Sequence, residues 1–128
     1  MIRVTFSDMP PSTNGLRMHF VDGAGKMRSA KTKRYAQWRE AAGWEIAAAR
    51  PGKVDGPYSL SIAVQRDWRS KRARDIDNII KPISDALVAA GVIRDDSLAE
   101  SVSAKWADDL NGLAVVALVQ PAEVGLAA

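Results

Sequence analysis

The chain has 128 residues, 47% of them hydrophobic, and no cysteine; it is long enough for one domain with a real core and too short for two ordinary ones. Disulfides, thiolate metal sites and a cysteine nucleophile are excluded, and no stretch approaches the roughly 18 apolar residues of a membrane span. The net charge is only +3, yet residues 1–74 carry 15 Lys/Arg against 6 Asp/Glu (+9) and residues 75–128 carry 3 against 9 (−6), a split that suits either a polyanion-attracting surface around an acidic pocket or a segregation in sequence that disappears once the chain folds.

Residues 2–6 alternate Ile2, Val4 and Phe6 with Arg3 and Thr5, the period-two signature of a half-buried strand. The segment from Met9 through Pro10, Pro11, Ser12, Thr13, Asn14 and Gly15 breaks it, because two prolines remove backbone donors and Asn-Gly tolerates positive φ. The loop is expected to continue through Asp22-Gly23-Ala24-Gly25 as a hairpin tip, with His19 a loop residue. From about Thr32 to about Ala49, the residues Tyr35, Trp38, Ala42, Ile46 and Ala49 recur at helical spacing. The start of this helix is basic, with Lys26, Arg28, Lys31, Lys33, Arg34 and Arg39 uninterrupted by any acid. Basic groups there oppose the helix macrodipole, a small penalty that lends weight to phosphate contact, with a merely solvated face as the other reading.

Pro51-Gly52 ends that helix, and Tyr58, Leu60, Ile62 and Val64 then alternate with smaller or polar residues as the clearest strand. A basic connection containing Arg66, Arg69, Lys71, Arg72 and Arg74 leads into a second amphipathic helix formed by Ile76, Ile79, Ile80, Ile83, Leu87 and Ala90 and closed by Gly91. Pro82 requires a start near Asn78, so that the proline falls in the first turns. Residues 101–106 read as a strand, 108–112 as a turn and 113–119 as a strand apolar on both faces, giving a C-terminal hairpin with a central second strand. The order βαβαββ predicts an α/β (α+β) single domain, a mixed sheet packed with two main helices, over residues 1–120, with 121–128 a flexible tail. Residues 1–8 lack the apolar run of a signal peptide, so a soluble, cytoplasmic protein is expected.

The stretch Asp75-Ile76-Asp77-Asn78, followed by Lys81 and then Asp95-Asp96, gathers carboxylates directly after the basic connection. A hard cation such as Mg²⁺ takes one or two carboxylates plus substrate phosphate oxygens. In an extended segment, residues two apart project to the same side, so Asp75 and Asp77 could aim at one point; they would repel each other without a cation between them. Asp96 reaches that point only if the loop beyond a helix of roughly 18 Å folds back, or if the neighbouring strand passes the same sheet end. Lys81, four residues after Asp77, either pairs with it or stabilises charge on a phosphate in flight, and Asp85 extends the same face as a solvated or structural acid. An EF-hand is excluded because Ile80 and Ala86 stand where glycine and glutamate are required. The basic residues before Asp75 replace the buried apolar strand expected ahead of an aspartate-nucleophile phosphatase.

The run Arg74-Asp75-Ile76-Asp77-Asn78-Ile79-Ile80-Lys81, continued by Asp85-Ala86-Leu87 and Gly91-Val92-Ile93-Arg94-Asp95-Asp96, together with the upstream Pro10-Pro11-Ser12-Thr13-Asn14, resembles the RusA family of Holliday-junction resolvases. These are small homodimeric Mg²⁺-dependent endonucleases often encoded by prophages. The resemblance implies that Asp75, Asp77 and Asp96 are metal-binding catalytic aspartates, with Lys81 the essential lysine beside them. It makes Arg74 a supporting phosphate contact and places Asn14, in the Pro-Pro-Ser-x-Asn opening, among the DNA-binding residues.

The function expected is paired, symmetrical nicking of four-way DNA junctions in recombination and repair, leaving a 5′-phosphate and a 3′-hydroxyl. Mg²⁺ is the expected cofactor, with Mn²⁺ an acceptable substitute. A C2 dimer supplies two opposed sites for a two-fold junction, and branched DNA is the partner. Lys31, Lys33, Arg34, Arg66, Arg69, Lys71 and Arg72 would give salt-sensitive affinity. Trp68 is either a stacking platform or a half-buried structural residue, while Trp38, Trp44 and Trp106 are assigned to core or dimer contacts. Two other functions fit the same residues: a non-catalytic basic DNA-binding module, and a nuclease acting on flaps or replication forks.

Overall fold

A computed structural model of the chain describes residues 1–12, 16–68 and 75–122. The elements run β1 (Ile2–Phe6), β2 (Arg17–Val21), β3 (Met27–Lys31), α1 (Lys33–Ala49), β4 (Tyr58–Gln65), α2 (Asp77–Ala89), a 3₁₀ turn (Asp96–Leu98), β5 (Ala99–Ala107) and β6 (Val115–Pro121). They form the expected α+β domain: one mixed sheet in the order β1-β6-β4-β5, two main helices, and a separate two-stranded β2-β3 hairpin.

Alternation in β4 buries Tyr58, Leu60, Ile62 and Val64 on the face that meets the helices. Helix α1 begins where Thr32 Oγ1 accepts the Tyr35 backbone N–H, an N-cap. It buries Tyr35, Trp38, Ala42 and Ile46 as the periodicity predicts, although Ala49, at its last turn, is exposed. Trp38 is wedged between Phe6 and Tyr35, with ring centroids 5.7 and 6.3 Å away, and its indole N–H donates to the Asp8 carbonyl. Trp44 is 72% exposed and so is no part of the core.

Helix α2 starts at Asp77 and places Pro82 inside it, where the missing N–H forgoes the bond to the Asn78 carbonyl. It ends as expected at Gly91. With φ of 77°, Gly91 donates to the Val88 carbonyl while Val92 donates to Leu87, the paired bonds of a Schellman motif. Ile83 is fully buried in the middle of this helix. Ile83→Ala should therefore destabilise the fold by about 2–5 kcal/mol, read as a shift of the urea midpoint with unchanged slope.

The expected C-terminal hairpin does not form. β5 and β6 are not partners: β4 lies between them, parallel to β5 and antiparallel to β6. The 108–112 turn with its positive-φ Asn111 and Gly112 is present, but the chain there crosses the end of β4. Gln65 pins the crossing, its amide donating to the Asp108 carbonyl and accepting from the Leu110 N–H at 2.8 Å. β6 is an inner strand as its apolar character suggested, yet Val116 and Leu118 on its second face are only half-buried. It extends through Pro121, which pairs with Tyr58.

The hairpin tip at residues 22–25 lies where the loop reading placed it, but its flanks are strands, and His19 sits in β2 opposite Ser29. Asp22 closes the tip by accepting the Ala24 and Lys26 N–H groups and pairing with Arg28 at 2.7 Å. The Arg28 guanidinium, followed by the Lys26 N–H, holds this carboxyl below its ordinary range. Its support for the tip is therefore present above the ordinary carboxylate value and lost as pH falls through the lowered one.

Candidate active site

After β4 the chain returns through α2, so β5 must run parallel to β4. The 3₁₀ turn delivers the start of β5 beside the start of β4, with Ala99 opposite Tyr58. Of the two routes open to Asp96 in the sequence, the structure takes the one through the neighbouring strand. Asp77, Asn78, Ile80, Lys81 and Ser84, which share one face of α2, form one wall of an open depression of about 460 Å³. Tyr58, Asp96, Ala99 and Val102 complete it. Asp77, Lys81 and Asp96 are thus brought to one place although 19 positions separate the two aspartates.

Asp75 arrives differently from the expectation. Ile76 has helical dihedrals (φ −62°, ψ −33°) and Asp75 accepts the Asn78 N–H through its backbone carbonyl, so the backbone turns into the helix at Ile76 instead of running extended from Asp75 to Asp77. Residues two apart in a helix do not share a side. Asp75 is exposed and does not line the depression. Among the described residues no three Asp, Glu or His side chains are grouped to hold an ion. The donor set still suits Mg²⁺, which commonly takes only one or two carboxylates and completes its shell with water and phosphate oxygens; Asp77 and Asp96 both line the depression and carry hard oxygens.

Lys81 pairs with Asp85 at 3.3 Å rather than with Asp77, and Asp77 has no ion pair among the described residues. Asp85 is tied to α1, its second carboxylate oxygen accepting the Tyr35 hydroxyl at 3.2 Å. Asp95 serves the local backbone, since its carboxylate accepts the Ser97 N–H and, at 2.8 Å, the Ser97 hydroxyl, capping the turn that carries Asp96. The Ser97 hydroxyl is the main reason its carboxyl lies below the ordinary range.

Tyr58 and Ser84 are lining residues that the sequence pattern did not single out. Tyr58 was absorbed into the apolar alternation of β4; Ser84 carried a legible signal, seven residues after Asp77 on the same helical face. Burial, and then the nearby Asp96 and Asp95 carboxylates, push the Tyr58 hydroxyl above its ordinary value, so it faces the depression as a neutral donor.

Of the expected DNA contacts, Lys31, Lys33 and Arg34 are exposed where β3 meets α1. The same first turn of α1 carries Tyr35, whose hydroxyl donates to Asp85 of α2, while none of these three basic residues lines the depression. Arg66 is exposed at the end of β4, pairing with Asp108 at 3.0 Å and lying 6.0 Å above the Trp106 ring. Trp68 is partly buried against the core. Asn14, Arg69, Lys71, Arg72 and Arg74 lie outside the described residues.

The family profile of endodeoxyribonuclease RusA matches residues 9–117, a span that contains every candidate site residue. The chain belongs to the RusA family. A crossover junction endodeoxyribonuclease RusA from Aquifex aeolicus (strain VF5) is 34% identical over 68 residues, 53% of each chain. The chain thus spans about half the length of this curated relative in the match. The RusA profile covers β4, α2, the 3₁₀ turn and β5, the elements that line the depression. Among the described residues no helix is long and apolar enough to cross a membrane.

Proposed function

We propose that the protein is a Mg²⁺-dependent, structure-selective endodeoxyribonuclease that resolves four-way DNA junctions by paired nicks. The observation that carries this reading is the convergence of Asp77, Asp96 and Lys81 on one open depression within a chain of the RusA family. Asp77 and Asp96, with Asp75 at the adjoining helix start, are the residues to hold the cation. When bound, Mg²⁺ supplies Lewis-acid polarisation of the phosphoryl oxygen and a lowered pKa for water. Mn²⁺ is a chemically similar replacement.

The chain's own groups do the rest. Lys81 presents a cation from the same wall as Asp77, where it can offset negative charge growing on a phosphate oxygen. Lys31, Lys33, Arg34 and Arg66, extended by Arg69, Lys71, Arg72, Arg74 and Asn14, hold the backbone of the arms without reading bases. Hydrolysis leaves a 5′-phosphate and a 3′-hydroxyl. A four-way junction has two-fold symmetry and the described residues of one chain offer one depression that joins Asp77, Lys81 and Asp96, so the active form is a C2 homodimer. A soluble, cytoplasmic protein suits such a substrate.

A labelled synthetic four-way junction tests the reading. Paired symmetrical cuts with Mg²⁺ that vanish in EDTA are expected; a protein that binds the junction but leaves every strand intact would be a binding module instead. Unpaired cuts favouring flaps or forks would reassign the substrate. Sedimentation should give twice the 13.8 kDa chain mass, and a monomer that cuts both strands would remove the dimer from the scheme.

A further inference from the structure

Lys81 has two aspartates within helical reach, Asp77 four residues before it and Asp85 four residues after it. Helix geometry favours the order with the acid on the N-terminal side, so an isolated α2 would pair Lys81 with Asp77. The fold shows the opposite choice, with the ammonium 3.3 Å from Asp85 Oδ1. What distinguishes Asp85 is its second oxygen. Asp85 Oδ2 accepts the hydroxyl of Tyr35, a residue only 3% exposed. That hydroxyl in turn accepts an N–H of Arg39 at 2.9 Å, whose guanidinium lies 5.5 Å over the Tyr35 ring.

Each link has one chemical direction. Arg39 can only donate, Tyr35 accepts from it and donates onward, and the Asp85 carboxylate only accepts. Burial keeps the Tyr35 hydroxyl protonated by pushing it above its ordinary value, against the lowering effect of Arg39. With one oxygen fixed to α1, the carboxylate can present the other only in a narrow direction, toward Lys81. An ordinary exposed i,i+4 pair has no such anchor and contributes little.

We infer that Asp85, anchored from α1 by Tyr35 and Arg39, is a positioning residue that draws Lys81 off Asp77, leaving the Asp77 carboxylate open to a cation and the ammonium aimed at a phosphate. The inference rests on the nuclease reading for its consequence but not for its geometry. Without the anchor, Lys81 would swing back one turn and occupy Asp77 itself.

The test uses the full chain with Asp85→Asn and Tyr35→Phe. The first substitution is isosteric and leaves an oxygen that can still accept from Tyr35, but it removes the charge that holds Lys81; the second removes only the hydroxyl. Side-chain NMR of ¹⁵N-labelled lysine in the metal-free protein should show the Lys81 ammonium shifting in both variants as it loosens from Asp85 and turns toward Asp77. Single-turnover cleavage of the junction at saturating protein should slow by about 10²-fold for Asp85→Asn and about tenfold for Tyr35→Phe, the scale of a misplaced catalytic group, with junction affinity changed less than about twofold. An unchanged Lys81 signal overturns the inference, as does a cleavage rate unaffected by a loosened Lys81 or a loss of affinity equal to the loss of rate. If Lys81 loosens in the variants while the unmodified protein cuts no branched DNA, the anchoring stands and the nuclease reading falls.

Discussion

Asp77→Asn should abolish cutting while junction affinity holds or rises. Asp77 lines the same depression as Asp96 and has no ion pair among the described residues, so its charge is available to a cation and is otherwise only repulsive toward phosphate. On the proposed reading, removing it would take away a hard anionic ligand and weaken Lewis-acid assistance worth several kcal/mol. At about 1.4 kcal/mol per tenfold in rate, the expected loss is about 10³-fold or more, measured as single-turnover cleavage at saturating protein and Mg²⁺. The same change removes a negative charge near the phosphates, which accounts for retained or improved binding. A parallel fall in affinity, or a lowered melting temperature, would mean that Asp77 supports the fold and that the chemistry lies elsewhere.

The paired substitution Lys33→Ala and Arg34→Ala should act in the opposite way, on binding rather than on chemistry. These side chains are exposed at the first turn of α1, a turn without acids that is tied to α2 by the Tyr35–Asp85 hydrogen bond. If each neutralises one phosphate, losing both should lower the slope of log K against log salt by about 1.8 and weaken junction affinity about 10- to 30-fold near 0.15 M salt. Cleavage at saturating protein should be retained. Titrations across a salt series decide it, because an unchanged slope removes this turn from the DNA-contact surface. Thermal unfolding should change little, since the two charges oppose the helix dipole and their loss is neutral or mildly favourable.

Much of the fold was legible because the signals were local. Period-two alternation located β1 and β4, helical spacing located Tyr35, Trp38, Ala42 and Ile46, and Gly91 marked the end of α2 through a conformation that only glycine adopts cheaply. The C-terminal pairing was misread for a physical reason. A good turn at residues 108–112 says that the chain reverses, not which strand it meets next. Gln65 decides that, by holding the crossing segment over the end of β4.

The site shows the same division. The acids and the lysine were legible as chemistry, but Asp75 and Asp77 were placed on extended backbone when Ile76 is already helical. The choice of Lys81 between two aspartates depends on a hydroxyl from another helix, 50 positions from Asp85.

From its residue order alone, this chain determined which groups are available: hard oxygen donors, one lysine at helical spacing from them, a basic approach, and no sulfur nucleophile. Those follow from side-chain identity and near-neighbour periodicity, which need no partner element. Only the tertiary structure decided which of them meet, because the parallel crossover through α2 returns Asp96 to the depression that Asp77 lines, and because contacts between distant elements set the side-chain choice that helix geometry alone would have made the other way.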